Sequence, residues 1–484
     1  MNNRRLMNAR HTIVALALLF AANAAAAQGS GAAGLGDPYY PNLGNGGYDV
    51  QRYTIELEVD ANLSAVSAVT AIEAVATEDL SVFNLDFIGF TIEAIAVDGA
   101  PARFLRAGPE LRITPARPLR AGAPFTVAVR YAGVPNSDLT GRAFAAGWTR
   151  YDAGVYVASQ PAGAARWFPA NDHPRDKAAY TFRITVPQPY VVAANGLLQA
   201  VVEQGEQITY IWQTDYPMAS YLATVNIAEF ALVTEEGPNG LPIRSYFPVR
   251  LAEKAPPVFE RTAEMIAFFS ELFGPYPFEA YGVVVADTPL FFALETQTLS
   301  LFGAEIVPGA LPEIAGRWAS AETVVAHELA HQWFGNSVTP DTWQDIWLNE
   351  GFATYAAALW TGHAHGADAF EQTMRGYYRA VQGRGFTPGD PGPQQLFGQG
   401  VYLQGAWTLH ALRLRLGDEL FFEILRAYYD RFQHANASTA DFIAVAEELS
   451  GADLTNFFDA WLYAGDALPV PEWGLGVDDA PNSG

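Results

Sequence analysis

The chain has 484 residues, more than one ordinary domain of roughly 100 to 200 residues holds, so its length predicts two or three domains. Half of the residues are hydrophobic and 17% are charged, a composition that excludes a disordered chain. A formal net charge of -24 argues against nucleic acid as a partner, and the lack of cysteine excludes disulfides and thiolate metal sites.

The first 27 residues have the three parts of a secretory signal peptide. Basic residues Arg4, Arg5 and Arg10 precede an apolar run over residues 13–22, and small residues follow it. The apolar run is shorter than the roughly 20 residues of a membrane-spanning helix, although an uncleaved anchor is the alternative interpretation. The pattern predicts an exported protein, secreted or periplasmic, with no stable membrane anchor after cleavage.

A lead-in rich in Gly, Pro and Asn occupies residues 28–47, and a hydrophobic period of two dominates residues 48–248. Tyr53, Ile55 and Leu57, for example, alternate with polar residues, as they do in strands that bury one face. We therefore predict a mainly antiparallel β domain over residues 48–248.

From residue 249 onward the hydrophobic period becomes that of a helix. Phe259, Ile266 and Phe269 share one helical face before Gly274 ends the segment. The elements predicted after it are a strand at residues 281–286 and helices at residues 321–334, 349–361, 401–415 and 418–432. The fold class is thus multidomain α+β, with a largely helical second domain over residues 249–470 and a tail over residues 471–484.

The sharpest motif is the HExxH sequence that runs from His327 through Glu328 to His331, inside a predicted helix. Residues four apart share a helix face, so the two imidazoles can meet at one centre with a carboxylate beside them. Catalytic zinc takes three protein ligands, and one more is therefore required. Glu350, eighteen residues beyond His331 at the start of the next predicted helix, is the best candidate.

The other histidines carry weaker signals. His363 and His365 form an HxH pair in a predicted loop, where solvated side chains are more frequent than metal ligands. We expect His173 to brace a turn and His410 to belong to the core or its rim.

The zinc motif and its surroundings resemble the gluzincin zinc aminopeptidases typified by aminopeptidase N, whose signature is HExxH, eighteen residues and Glu. The similarity extends over about residues 37–468 and includes three further segments, at residues 160–174, 292–296 and 401–405. The resemblance implies a thermolysin-like, largely helical zinc-peptidase domain. It also implies one Zn²⁺ per chain, held by His327, His331 and Glu350.

The resemblance further implies roles in removing the first residue from peptides that have a free N-terminus. Glu328 would activate the zinc-bound water, and Tyr402 would stabilise the oxyanion together with zinc. Glu295 would pair with the substrate α-ammonium, with Gln160 and Ala293 as further substrate-binding residues.

Five positions depart from the family pattern, one of them conservatively, with Leu294 in place of Met. Gln160 stands where many members have a second amine-binding Glu, and Phe292 stands where the substrate strand has Gly. Gln404 replaces a Lys, and Ala357 replaces an acid that supports a zinc-binding His.

These departures keep two alternatives open. One is a gluzincin that cleaves internally or prefers short peptides, and the other is a non-catalytic member of the fold. The chain ends soon after residues 461–463, so the resemblance implies two domains without the helical C-terminal domain of longer members, and an open cleft.

Overall fold

The computed structural model describes residues 29–135, 147–311, 320–465 and 467–475. The predicted signal peptide and the end of the predicted tail lie outside these residues. Within them, strands come first and helices dominate later, which confirms the predicted fold class. Among the described residues, no helix is both long enough and apolar enough to span a bilayer.

The strands, in chain order, are β1 Gly29–Ser30, β2 Tyr48–Val59, β3 Val66–Ala76, β4 Leu80–Asp86, β5 Thr91–Val97, β6 Ala100–Pro101, β7 Arg103–Ala107, β8 Glu110–Thr114, β9 Pro124–Gly133, β10 Gly147–Tyr151, β11 Gly154–Ala158, β12 Lys177–Pro187, β13 Val191–Ala194, β14 Leu197–Gln204, β15 Gln207–Ala219, β16 Val225–Ala228, β17 Phe230–Glu236, β18 Pro242–Pro248, β19 Tyr281–Ala286, β20 Ala293–Leu294, β21 Ser300–Gly303, β22 Thr339–Pro340 and β23 Asn436–Ala437. The helices are α1 Pro256–Phe259, α2 Thr262–Phe273, α3 Ala321–Ala330, α4 Trp347–His365, α5 Ala367–Val381, α6 Gly405–Leu416, α7 Asp418–Phe432, α8 Thr439–Ser450 and α9 Thr455–Leu462, with a π-helical segment at Gly400–Gln404.

The first domain is built on an eight-stranded sheet in the order β14-β15-β12-β2-β3-β9-β5-β6. Its pairs are antiparallel except for β2 with β12, which run parallel. Strand β2 buries Tyr53, Ile55 and Leu57 on one face, as the alternation predicts. The mainly antiparallel β domain is therefore present.

A second, five-stranded sheet has the order β17-β18-β19-β21-β20. Strand β18 pairs in parallel with β19, whose position matches the prediction for residues 281–286. The boundary predicted at residue 248 therefore falls inside one sheet, and sheet pairing assigns residues 230–248 to the second domain. A period of two identifies a strand but not the sheet that it joins.

The helices follow their predicted apolar faces, and α2, α4, α6 and α8 end at glycine. Helix α2 ends at Gly274, whose φ of 115° favours glycine, and α7 has the predicted bounds. Helix α4 continues through Gly362 and ends at Gly366, with φ 94°. His363 and His365 thus lie in its last turn, and their prediction as loop residues was wrong.

The first residues of the predicted tail pack against the helices. Trp473 lies over His410 with ring centroids 4.6 Å apart, and its carbonyl accepts a hydrogen bond from Arg375 Nη1 at 2.7 Å. Residues 471–475 are therefore part of the second domain.

Three contacts fasten the β domain and its lead-in to the segment between α3 and α4. Lys177 Nζ donates hydrogen bonds to the carbonyls of Asn336 and Ser337 at 3.0 and 2.8 Å. Arg175 forms an ion pair with Asp341 at 2.7 Å. The lead-in residue Asp37 accepts a hydrogen bond from the Trp343 amide at 2.8 Å. These contacts fix the chain just before the helix that carries Glu350.

Candidate zinc site and substrate cleft

Helix α3 presents the two histidines of the HExxH motif. Ser320 caps its N-terminus by accepting a hydrogen bond from the Thr323 amide at 3.2 Å, and His331 is its C-terminal cap. The chain then turns at Gly335, where φ is 132° and an added Cβ would lie 3.1 Å from His331 Nδ1. Glycine at this turn lets the backbone pass close behind the imidazole.

Helix α4 brings Glu350 to the two imidazoles. His327 Nε2 lies 3.2 Å from Glu350 Oε2, His331 Nε2 lies 3.4 Å from the same oxygen, and the two Nε2 atoms are 3.0 Å apart. Tetrahedral zinc with ligand bonds of about 2.0 to 2.1 Å separates its ligand atoms by about 3.3 Å. The three side chains therefore fit a zinc ion with one coordination position left open.

The charges around this centre favour a cation. Burial opposes ionisation of Glu350, but the neighbouring His331 and His327 outweigh it and lower the pKa of Glu350 to about 2. Burial would lower the pKa of His331, yet the charges of Glu350 and Glu295 raise it to about 10. Among the described residues that line this cavity, none is Lys or Arg. The same negative charges that favour a proton on His331 would also attract a metal cation at the centre, and such a cation would replace the proton.

Further contacts orient the imidazoles. His331 Nδ1 lies 3.0 Å from the Phe334 carbonyl, so it donates there and leaves Nε2 to face the centre. Thr354 Oγ1 lies 3.5 Å from His327 Nδ1. Ala357 is 1% exposed and offers no polar group, and the hydroxyl of Thr354, one turn before it, faces His327 Nδ1 instead.

Glu328 and Tyr402 border the same cavity. Glu328 is 6% exposed, and burial raises the pKa of its carboxyl. The Tyr402 ring stacks on His327 with centroids 5.9 Å apart. Burial and the nearby carboxylates hold the pKa of Tyr402 well above its usual value, so the phenol keeps the proton that it can donate.

Tyr402 reaches this position because a π-helical turn, Gly400–Gln404, packs against α4. Directly after this turn, at the first residue of α6, an added Cβ on Gly351 would lie 2.9 Å from backbone atoms of Gly405. The two backbones touch without side chains between them, which places Tyr402 beside Glu350, one residue from Gly351.

Glu295 lines the same cavity from a different segment of the chain, the wall that β20 and the residues around it form. It follows β20 and is 2% exposed, and burial, assisted by the charge of Glu350 and opposed by His331, raises its pKa to about 7. Gln160 Nε2, from the β domain, donates a hydrogen bond to Glu295 Oε1 at 2.8 Å. The Glu295 carbonyl accepts hydrogen bonds from Gln332 and Asn336 at 3.2 and 2.6 Å, which fastens this segment to the end of α3.

The zinc centre opens into a cavity of about 430 Å³ that Phe292 and Ala293 help to line. Phe292 is 5% exposed, so most of its surface packs against the protein. Eight further residues line the cavity without having been predicted as site residues, namely Phe291, Thr323, Val324, Thr354, Tyr377, Phe397, Gln399 and Leu403. Six of them lie within four residues of a predicted site residue in the sequence, and the other two are Tyr377 and Phe397, but no local pattern marks any of the eight.

The structure gathers every predicted site residue around this one cavity, namely His327, Glu328, His331, Glu350, Glu295, Gln160, Ala293 and Tyr402. None of the other histidines within the described residues lines this cavity. His363 and His365 are exposed and face Glu264 and Glu322, at 3.5 and 3.0 Å. His410 is buried in the core, as expected.

The structure also shows the contacts of two further residues from the sequence analysis, His173 and Gln404. His173 accepts a hydrogen bond from the Arg175 amide at 3.1 Å, which agrees with the predicted turn brace. Gln404 is buried, and its Nε2 donates to the Trp461 carbonyl at 3.0 Å. A neutral amide therefore suits the position where the family pattern has Lys.

Two family models match the chain. The peptidase M1 N-terminal domain matches residues 49–222, and the peptidase family M1 domain matches residues 258–461. Aminopeptidase M1 of Arabidopsis thaliana is 28% identical over 62% of this chain and 36% of its own length. Aminopeptidase N of Streptomyces lividans is 29% identical over 64% of this chain and 38% of its own length. The chain thus spans little more than a third of the length of these curated relatives.

Solved structures match over a larger share of both chains. The M1 zinc metallopeptidase from Deinococcus radiodurans is 31% identical with a TM-score of 0.81, over 90% of this chain and 98% of its own. A mutant of that protein bound to a Tyr-Ser-Ala substrate gives a TM-score of 0.82 at the same identity, over 90% of this chain and 99% of its own. With both domain models matched in order, a 31% identical solved relative covered over 98% of its length, and three side chains placed so that they could hold zinc, the chain belongs to the peptidase M1 family of zinc metallopeptidases.

Proposed function

We propose that this protein is a zinc-dependent aminopeptidase that removes the first residue from peptides with a free N-terminus by hydrolysing the peptide bond that follows it. The observation that carries the proposal is the buried Glu295 carboxylate beside the zinc-ligand set. Glu295 belongs, with Glu328 and His331, to a group whose ligand atoms lie within 4.8 Å of one another. A carboxylate so near the reaction centre can hold an α-ammonium group only when that group is one residue from the bond to be cleaved.

When bound at His327, His331 and Glu350, zinc would supply Lewis acidity toward water and the substrate carbonyl. The remaining work belongs to the protein. Glu328 accepts a proton from the attacking water and later delivers it to the leaving amine. Tyr402 donates a hydrogen bond to the oxygen on which negative charge develops.

Gln160 supports amine recognition without adding a charge. Its amide donates to Glu295 Oε1 at 2.8 Å, which leaves the second carboxylate oxygen for the substrate ammonium. Amine binding then depends on one carboxylate, and we expect weaker binding than a pair of acids would give. A preference for very short peptides or for internal bonds is the alternative that this arrangement would permit.

The cavity favours a large first side chain. Apolar and aromatic groups dominate its walls, among them Val324, Tyr377 and Phe397. The related Deinococcus radiodurans protein has been solved with a tripeptide that begins with tyrosine. Similar structures of a two-domain M1 zinc metallopeptidase contain L-tryptophan or L-arginine. We therefore expect bulky first residues to be cleaved faster than glycine or alanine.

We also propose that the protein is exported. The support is the succession of basic, apolar and small residues over residues 1–27. Fractionation of the producing cells and N-terminal sequencing of the mature protein test this. An intact N-terminus in the cytoplasm would reject export.

The aminopeptidase proposal is tested with a panel of aminoacyl p-nitroanilides and with matched free and N-acetylated peptides. We expect cleavage of the free-amino substrates only, loss of activity with a chelator and recovery with zinc. Equal cleavage of acetylated and free peptides would reject it in favour of an endopeptidase. Zinc binding without any hydrolysis would favour a non-catalytic member of the fold.

A further inference from the structure

Phe291, at the wall of the zinc cavity, has an unusual backbone conformation. Its φ is 63°, in the left-handed region that bulky residues rarely adopt, and 47% of the residue is exposed. It directly precedes Phe292 and β20, the strand that leads to Glu295. The conformation of Phe291 therefore sets how this strand enters the cleft.

The side chain of Glu305 holds the backbone at this point. The Leu290 amide donates to both carboxylate oxygens, at 3.1 Å to Oε1 and 3.2 Å to Oε2. The Phe291 amide donates to Oε1 at 2.6 Å. One carboxylate thus binds two consecutive amides, and hydrogen bonds to an ionised acceptor are stronger than those between neutral groups.

Gly303 makes room for this contact. An added Cβ on Gly303 would lie 2.1 Å from Glu305 Oε2 and 2.7 Å from the Leu290 nitrogen. The Ala304 amide also donates to the Thr288 carbonyl at 3.0 Å, which joins the two chain segments on the other side. The end of β21 is therefore shaped to bring Glu305 against residues 290–291.

We propose that Glu305 is a positioning residue for the substrate-binding wall, because it holds Phe291 in the left-handed conformation that places the strand before Glu295. The proposal rests on the proposed aminopeptidase function, because the wall matters only when a peptide lies along it. Glu305 does not line the cavity itself. Its effect on the substrate passes through Leu290 and Phe291.

The first test measures amide hydrogen exchange in a peptide covering residues 288–294 and steady-state kinetics on leucyl p-nitroanilide. In Glu305→Ala we expect faster exchange at residues 290 and 291, and a KM raised by about fivefold to tenfold with kcat changed by less than about twofold. Zinc content should be unchanged. Unaltered exchange at these two amides would overturn the proposal. Glu305→Gln, which keeps one acceptor oxygen, should lie between the two proteins and replaces the alanine variant if that variant does not fold.

The second test uses glycine at position 291, since glycine adopts a positive φ without strain. If Glu305 acts by holding Phe291 in this conformation, the KM increase caused by Glu305→Ala should shrink to less than about twofold in a Phe291→Gly background. A full-sized increase in that background would show that Glu305 acts in another way and would reject the proposal.

Glu447→Ala is the matched control. Glu447 Oε1 accepts a hydrogen bond from the Leu454 amide at 2.8 Å, a similar contact on α8 that does not border the cavity. We expect its KM to equal that of the unaltered protein, and an increase as large as that of Glu305→Ala would count against a specific role for Glu305. If the unaltered protein cleaved no free-amino substrate, the proposed function would fail, whereas the exchange comparison would still decide whether Glu305 holds residues 290–291.

Discussion

Gln160 and Glu295, from two different domains, are joined by a hydrogen bond of 2.8 Å at the wall of the zinc cavity. Both side chains are buried, at 3% and 2% exposure. The β domain therefore contributes directly to the cleft, and the amide of Gln160 fixes the direction in which the Glu295 carboxylate faces.

Gln160→Ala should weaken substrate binding more than it slows turnover. Removing a hydrogen bond to a charged group costs about 1.5 to 3 kcal/mol, so we expect KM on free-amino substrates to rise by about tenfold or more. Michaelis–Menten kinetics with an aminoacyl p-nitroanilide measure this. Gln382→Ala, at an exposed position, is the control. An unchanged KM in Gln160→Ala would remove Gln160 from the amine site.

Glu328→Gln should retain zinc but lose turnover. The amide has nearly the same shape and cannot accept the proton, so we expect kcat to fall by about 100-fold to 10,000-fold. Metal analysis and kinetics on the same preparation separate the two effects. Glu322→Gln, on the same helix but paired with Arg261 at 2.7 Å, should keep most of the activity. Full activity in Glu328→Gln would contradict the assigned role.

Gly351→Ala should disturb the contact that places Tyr402 beside Glu350. The added methyl group would lie 2.9 Å from the Gly405 backbone, which has no flexible side chain to move aside. We expect a loss of about 1 to 3 kcal/mol in the free energy of unfolding, together with reduced kcat. Denaturant unfolding measures the first effect.

Gly376→Ala provides the opposite control for that experiment. Gly376 lies inside α5, and an added Cβ would meet nothing within 4 Å. A glycine replaced by alanine in an open helix position should gain about 0.5 to 1 kcal/mol. Equal effects of the two substitutions would show that the contact between Gly351 and Gly405 has no special importance.

Glu110 should make the stability of the β domain depend on pH. Burial raises the pKa of its carboxyl to about 7, and neither carboxylate oxygen has a hydrogen-bond partner among the described residues. Because the unfolded value is about 4.3, the folded state binds the additional proton between these values. The free energy of unfolding should therefore fall as the pH rises from about 4 to about 7.

Glu110→Gln removes this titration and an unpaired charge. We expect the variant to gain about 1 to 2 kcal/mol over the unaltered protein at pH 8, and to show less difference at pH 4. Denaturant unfolding at both pH values measures the difference. Glu93→Gln, at an exposed position, should behave like the unaltered protein at both. The same difference at both pH values would rule out Glu110 titration as the cause.

The zinc-ligand set could be predicted because its geometry is local. His327 and His331 lie one helical turn apart, and Glu350 lies in the first turn of the next long helix. The spacing therefore brought two ligands together, the position of Glu350 made it the best third candidate, and the family resemblance implied the same residue. The bounds of α7 and β19 followed equally from apolar periodicity. The end of α4 could not be predicted in this way, because Gly362 lies inside the helix and the conformation that ends it occurs at Gly366.

The opposite wall of the cleft could not be predicted in the same way. The contact between Glu305 and Phe291 depends on a left-handed residue and a close approach by Gly303, neither of which leaves a periodic signal. Tyr377 and Phe397 meet the cavity from α5 and from the following loop, far from the zinc motif in sequence. Sheet membership of residues 230–248 is likewise decided by pairing between distant strands.

Because Gly400–Gln404 forms a π-helical turn, the position of Tyr402 depends on how many residues the turn contains as well as on which residues they are. Such a turn contains one residue more than an α-helical turn, and each residue of an α-helix advances the chain by about 100°. Removal of a single residue from this turn would rotate Tyr402 away from His327 while every side chain of the site kept its identity. The number of residues in this turn is thus as necessary for the arrangement of the cleft as the identity of its zinc ligands.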